Sequence, residues 1–219
     1  MNKKILFIGT SLIIIVAFIV AVTLFQTNQT NHTNQTKNTL FDNLNKVERA
    51  NAPTKGPLNA KVTIVEFFDP ACETCSVFYP LVNNLIKKYS GKVKVMMRYA
   101  PLHQGSDQVV KILEAAHLQG QFWPAVDILF KQQQRWTRHH VAEPQSALRL
   151  LSNLPLDREQ FMRDLSSDNI NKTISQDVMD GKMLNVRATP QFFVNGKPLI
   201  NFGFKQLTQL VEEAIEEVY

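Results

Sequence analysis

Apolar and polar positions divide the chain into three stretches of different texture. Ile5 to Phe25 is almost wholly apolar and carries no charge. Gln26 to Asn38 is a run of Asn, Gln and Thr with almost no apolar residue. From Pro57 onward, short β-rich runs alternate with segments whose apolar residues recur every third and fourth position. Lys61 to Phe68 (KVTIVEFF) has the compactness of a buried strand, and Asp69-Pro70 punctuates its end. Phe78, Leu81, Val82, Leu85, Ile86 and Tyr89 mark one apolar face of a helix running from Cys72, with Gly91 as its stop. Lys92 to Tyr99 alternates like a second strand. The chain therefore reads β-α-β, with Cys72 at the first strand-to-helix junction.

Between Pro101 and about residue 169 the pattern stays helical. Helices are predicted over 107–118, 122–130, 144–151 and 157–165, the last with Asp157 as N-cap, and a further one over 169–184. Strands at Gln191 to Val194 and Pro198 to Ile200 flank Asn195-Gly196, a strong hairpin signal. Leu207 to Val218 closes the chain as an amphipathic helix. Strand, helix, strand, helical insert, hairpin and helix make an α/β domain with helices packed on a small sheet.

The first segment changes the cellular setting. The 21 residues from Ile5 to Phe25 would span roughly 31 Å as a helix, about a bilayer's hydrocarbon thickness. The Ala21 region fits a signal-peptidase exit badly, which favours an uncleaved signal anchor over 1–25 over a cleaved signal. Lys3 and Lys4 put the N-terminus in the cytoplasm and everything after Phe25 outside. Localisation at the inner (cytoplasmic) membrane follows, single-pass, with the folded part on the periplasmic or extracytoplasmic side. Residues 26–56 read as a polar tether. Its three Asn-x-Thr triplets are read as linker composition, and Leu40 to Arg49 could form a short amphipathic helix. The domain proper is 57–219, with the insert at about 101–169.

Composition removes one class of function. Net charge is +5, but without Lys3 and Lys4 the balance is 22 basic residues against 19 acidic. No basic block is interleaved with aromatics, so no nucleic acid is expected as partner.

The only two cysteines of this exported chain are Cys72 and Cys75, enclosing Glu73-Thr74. A disulfide between them closes a tiny loop and stabilises little, which argues against a structural bridge. A zinc site needs more ligands than follow in the sequence, so no metal site is assigned. Redox chemistry is the leading reading. Cys72 sits where unpaired N–H groups and the helix dipole favour a thiolate nucleophile. Cys75, one turn in, is shielded and resolves the mixed disulfide. Glu73 either raises the Cys72 pKa by repulsion or merely sits exposed in the first turn; with Thr74 it is the redox-tuning dipeptide.

These residues resemble the DsbA-like branch of thioredoxin-fold oxidoreductases. Val65-Glu66-Phe67-Phe68 before Cys72-x-x-Cys75 is similar to that family's active-site strand. Pro80, eight residues past Cys72, is similar to its helix-kinking proline. Thr189-Pro190 before Gln191-Phe192-Phe193-Val194-Asn195-Gly196 is similar to its cis-proline loop, and Phe122-Trp123 with Leu129-Phe130 to a helix of its insert. Over roughly 57–219 the resemblance implies a thioredoxin fold with an inserted helical subdomain. It implies proton shuttling by Glu66 to the resolving cysteine, and substrate docking at Thr189 and a cis Pro190. The Glu-Thr dipeptide, and Thr where the best-known oxidases have Val before the proline, depart from the oxidase pattern and speak against strong oxidising power.

The expectation is thus a membrane-anchored thiol–disulfide oxidoreductase with catalytic Cys72, Cys75 and Glu66, needing no bound cofactor. Its partners would be cysteine-containing exported polypeptides and a membrane redox partner, either a quinone-linked oxidase or an electron donor. Disulfide formation leads. A reductase or isomerase on the same scaffold, and a copper or zinc carrier using the same cysteines, stay open. His103 is read as a plain loop histidine more readily than an active-site group, His139-His140 as a solvated turn, and Phe122 and Trp123 as insert core.

Overall fold

The computed structural model describes residues 47–219. The expected anchor at 5–25, the tether, and most of the 40–49 helix lie outside the described residues. Among the described residues no helix is long and apolar enough to cross a membrane.

The central strands are β1 (Thr54–Lys55), β2 (Val62–Phe68) and β3 (Val93–Tyr99), followed late in the chain by β6 (Gln191–Val194) and β7 (Lys197–Pro198). They form one sheet in the order β1-β3-β2-β6-β7. β2 lies parallel to β3 and antiparallel to β6. The parallel pair requires a crossover, which α1 (Glu73–Lys88) supplies. Every residue of β2 is buried, as a strand covered on both faces must be.

Alternation along β2 sorts its side chains between two cores. Ile64 and Phe68 join the large cluster under α1, with Cys72, Cys75 and Phe78. Val65 and Phe67 join a smaller cluster on the opposite face, with Val47, Ala52, Met96 and Phe193. Glu66 shares the parity of Ile64 and Phe68, so its carboxyl is directed to the cysteine side.

Between β3 and β6 run α2 (Ser106–Leu118), α3 (Phe122–Lys131), a 3₁₀ turn at Gln133–Arg135, and a small ribbon of β4 (Thr137–Arg138) and β5 (Val141–Ala142). α4 (Pro144–Leu150), α5 (Arg158–Leu165) and α6 (Asp168–Met183) complete this helical insertion, and α7 (Phe204–Val218) packs back on the sheet. Asp157 caps α5, accepting from Gln160 N at 2.9 Å. Phe122 is buried, whereas Trp123 is part-buried and donates to the Thr54 carbonyl.

Three features differ from the periodicity reading. β1 and the β4–β5 ribbon are two-residue strands, too short to show alternation. The second hairpin strand is Lys197–Pro198 and not 198–200, because the turn is only Asn195-Gly196, with φ of 46° and 79°. α7 begins at Phe204, ahead of Leu207, because two extra aromatics, Phe202 and Phe204, pack on Phe78 with ring centroids 4.7 and 4.4 Å away.

A buried ionic cluster joins the start of the described chain to the sheet. The fully buried Arg98 of β3 donates to Asp177 (2.6 Å) and Asp180 (2.6 Å) of α6 and to the Val47 carbonyl (2.8 Å). Arg49 adds a second guanidinium on Asp177 at 2.7 Å.

Candidate active site

α1 starts immediately after Cys72, which is its N-cap residue with extended φ and ψ. The first-turn N–H groups have no intrahelical acceptor and point toward the sulfur. The cysteines are unbridged and differ sharply in setting. The Cys72 pKa is lowered from 9.0 to about 5, first because the Cys75 thiol donates to it. Burial opposes this, and the Thr189 side chain and the N–H groups of Cys75 and Thr74 add to it. Cys75 is fully buried and its pKa lies well above 9.0, through burial, the same hydrogen bond, and the nearby Glu66 carboxyl. One sulfur is thus an anion at neutral pH while the other keeps its proton.

Of the two readings of Glu73, repulsion of the thiolate or an exposed first-turn acid, the second matches its placement. Glu73 is exposed, and the groups that act on Cys72 are donors and not a neighbouring carboxylate. Thr74 acts through its backbone N–H.

Glu66 is 1 % exposed and neither carboxyl oxygen has a hydrogen-bond partner. Burial, and then the Cys72 charge, push its pKa well above 4.5, so it holds a proton. The Thr189–Pro190 bond is cis, and the Thr189 carbonyl oxygen lies 3.1 Å from Cys72 Sγ, where it can accept only from the protonated thiol. Pro80 lies inside α1. The structure therefore gathers Cys72, Cys75, Glu66, Thr74 and Thr189 at one end of the sheet, with Glu73 at the rim.

Three residues that periodicity did not single out hold this end together. Asp69 is fully buried; its Oδ1 accepts from Ala71 N (2.8 Å) and Ser106 Oγ (2.6 Å). Its Oδ2 accepts from Leu102 N (2.7 Å), His103 N (2.8 Å) and His103 Nδ1 (2.8 Å). Gln133 donates to the carbonyls of Pro70 (2.9 Å) and Cys72 (3.0 Å), tying the nucleophile's loop to the insertion. His103, expected as a plain loop residue, lines the same cleft as Cys72. That cleft, about 330 Å³, is bounded by Cys72, Glu73, Thr74, Leu102, His103, His140, Ala188 and Thr189. No local spacing joins positions 69, 103 and 133, so only the Asp-Pro break at 69–70 offered a signal. His139 and His140 form an exposed turn with positive φ, as expected. A metal carrier needs further ligands beside the cysteines; among the described residues no group of three or more His, Cys, Asp or Glu is placed to hold a metal ion.

Comparisons with known proteins bear on this geometry. The family model described as Thioredoxin matches residues 48–213. A probable disulfide bond formation protein D of Bacillus cereus is 29 % identical over 171 residues, covering 74 % of this chain and 78 % of that protein. The Na(+)/H(+) antiporter NhaA of Herminiimonas arsenicoxydans is 30 % identical over 145 residues, 66 % of this chain. The chain spans only between 21 % and 28 % of the length of the antiporter relatives it matches. A crystal structure of a thioredoxin-like oxidoreductase from Silicibacter pomeroyi superposes with a TM-score of 0.68 at 28 % identity, covering 80 % of this chain and 97 % of that one.

Proposed function

The chain belongs to the thioredoxin family, and from that premise we propose that it is a DsbA-type thiol–disulfide oxidoreductase that forms disulfides in exported polypeptides through Cys72 and Cys75. The observation that carries this is the asymmetry of the two sulfurs. Cys72 opens on the cleft as a thiolate held by donors, and Cys75 beneath it stays protonated. Such an arrangement stabilises the dithiol over the disulfide, which makes the oxidised pair a disulfide donor.

In the forward reaction a client thiolate attacks the Cys72 sulfur and the Cys72–Cys75 bond breaks. Cys75 leaves and takes a proton from Glu66, which among the described residues is the one carboxyl beside it that is buried with both oxygens unengaged. A second client thiolate then attacks the client sulfur of the mixed disulfide, and Cys72 departs as a stable thiolate. Thr189 presents its carbonyl beside Cys72 and offers extended client backbone an acceptor next to the reacting sulfur. Val77 on α1, and Phe202 and Phe204 packed on Phe78 of that helix, are exposed apolar residues, a surface suited to unfolded clients.

The segment 5–25 anchors the protein in the cytoplasmic membrane with this domain outside, where a quinone-linked oxidase or an electron donor renews the pair. Transport is not carried over from the antiporter relatives, since the chain covers so little of their length.

The testing experiment is the equilibrium reduction potential of the full-length protein against glutathione. Oxidase function requires a value nearer about −120 mV, as in DsbA, than about −270 mV, as in thioredoxin. A value at the thioredoxin end would assign the domain to reduction or isomerisation and overturn the stated direction.

A further inference from the structure

His103 is held more firmly than a loop side chain needs to be. Its backbone N–H and its Nδ1 both bond Asp69 Oδ2, each at 2.8 Å. A carboxylate oxygen accepts, so Nδ1 is the donor in that bond and Nε2 is the ring nitrogen that the Asp69 contact does not use. The ring face stacks on His140, with centroids 5.7 Å apart and planes at 25°. His140 is placed by the turn between β4 and β5, and this ribbon is docked on the His103 loop by the Ala142 N–H, which donates to the Gln104 carbonyl at 2.8 Å. Gly105, at φ +81°, permits that approach, because a Cβ there would meet the Ala142 carbonyl oxygen at 2.6 Å. Asp69 also fixes the other wall: its Oδ1 takes the Ala71 N–H and its carbonyl takes the Cys72 N–H, at 2.8 and 3.0 Å. One buried carboxylate thus positions both the nucleophile's loop and an imidazole on the same cleft.

We propose that His103, oriented by Asp69, is the general base that takes the proton of an incoming client thiol and, in the reverse direction, returns it to the departing client sulfur. The inference rests on the oxidoreductase reading above and is independent of the direction in which the pair works. An ordinary cysteine is mostly protonated at neutral pH, whereas the thiolate is the attacking species. In the forward step the client S–H bond breaks and its proton passes to Nε2. The client sulfur bonds Cys72, the Cys72–Cys75 bond breaks, and its electron pair leaves with Cys75, which Glu66 protonates. His103 passes its proton to water before the second client thiol arrives. Two electrons and two protons leave the client dithiol, and its disulfide is the product. The charged and titratable groups facing the ring are Asp69 beneath it, His140 on its face, and Cys72 and Glu73 across the cleft. Arg187, on the loop that carries Thr189, donates to Asn185 Oδ1 at 2.6 Å and is not among the residues that bound the cleft.

The test compares two nucleophiles on the oxidised full-length chain by stopped flow. One is a dithiol peptide with ordinary cysteines; the other is an aryl thiol already ionised at neutral pH. At about pH 7 a cysteine of pKa about 8.5 is only about 3 % thiolate, so a positioned base has up to about thirtyfold to contribute. His103→Asn, which keeps an amide N–H toward Asp69, should slow the peptide about tenfold at about pH 7, leave the aryl thiol unchanged, and make the peptide rate climb with hydroxide through neutrality. His103→Gln should do the same. The ratio of the two rates is taken within one protein, so a change in fold or in potential moves both and does not mimic the effect. Equal slowing of both nucleophiles, or of neither, would overturn this inference and leave the proposed function standing. Absence of exchange with either nucleophile in the unaltered protein would instead overturn the proposed function itself.

Discussion

Replacing Cys75 by alanine tests the origin of the Cys72 thiolate directly. Cys72 ionises at about 5 instead of 9.0, and the largest cause is the thiol of Cys75 donating to it. At about pH 7 a thiol with that pKa is almost wholly ionised, which favours the dithiol state by up to about 2.7 kcal/mol, or about 60 mV. Water at the mouth of the cleft screens the donors and brings the contribution to about 30–60 mV. A hydrogen bond to a charged acceptor contributes about 1.5–3 kcal/mol, and each 1.36 kcal/mol is one pH unit. Cys75→Ala should therefore move the Cys72 midpoint from about 5 up to about 6–7, whereas Cys75→Ser, which keeps a hydroxyl donor, should hold it near 5. The assay is thiolate ultraviolet absorbance against pH, checked by the pH dependence of alkylation. Both variants have a single thiol, so each curve belongs to Cys72. Identical midpoints for alanine and serine would refute the reasoning and leave the thiolate to Thr189 and the backbone N–H groups.

Three further outcomes follow from the same structure. Because reduction above about pH 5 leaves Cys72 ionised and Cys75 protonated, one proton accompanies two electrons there. The potential should fall by about 30 mV per pH unit above that point and about 59 mV below it, measured by glutathione equilibration. Glu66 has a folded pKa raised above its usual 4.5, so it costs the fold stability as pH rises past 4.5 toward the folded value. Glu66→Leu should remove that cost, stabilise the reduced protein by about 1–3 kcal/mol in neutral urea titrations, and slow resolution of a mixed disulfide. Unchanged stability would show that the carboxyl is hydrated. Asp177→Ala should destabilise by about 3–5 kcal/mol in the same titration, since it leaves buried Arg98 and part-buried Arg49 without a shared carboxylate.

The long elements were legible in the sequence because burial imposes a period on them. β2 is buried on both faces and reads as a continuous apolar run, and α1 shows its inner face at 78, 82 and 85. The cysteine spacing and the strand-to-helix junction could be placed for the same reason. Asp69, Gln133 and His103 could not. Their hydrogen bonds reach loops 33 to 63 positions away, and such contacts leave no periodic trace. The ion cluster around Arg98 was hidden likewise. A single Arg in a strand and two Asp three residues apart on a helix look like solvated charges until the fold stacks them at 2.6 Å.

Of the two readings of Glu73, repulsion of the thiolate and a merely exposed first-turn acid, the folded chain has the exposed one, and the reason also bears on the chemistry. Repulsion would need proximity along the chain to be proximity in space, with charge the strongest influence. At a helix start the side chain of the next residue points outward to water, while the backbone N–H groups of that turn point back at the sulfur. A solvated carboxylate acts through high dielectric and is worth little, whereas donors buried against the sulfur act through low dielectric. The Glu73-Thr74 dipeptide and the threonine before Pro190 both looked like marks against an oxidant. In the folded protein the Thr189 side chain is itself one of the groups lowering the Cys72 pKa, and Thr74 contributes its N–H. The identity of the dipeptide is therefore a weaker guide to the state of Cys72 than the number of donors aimed at it, and here those donors favour the thiolate.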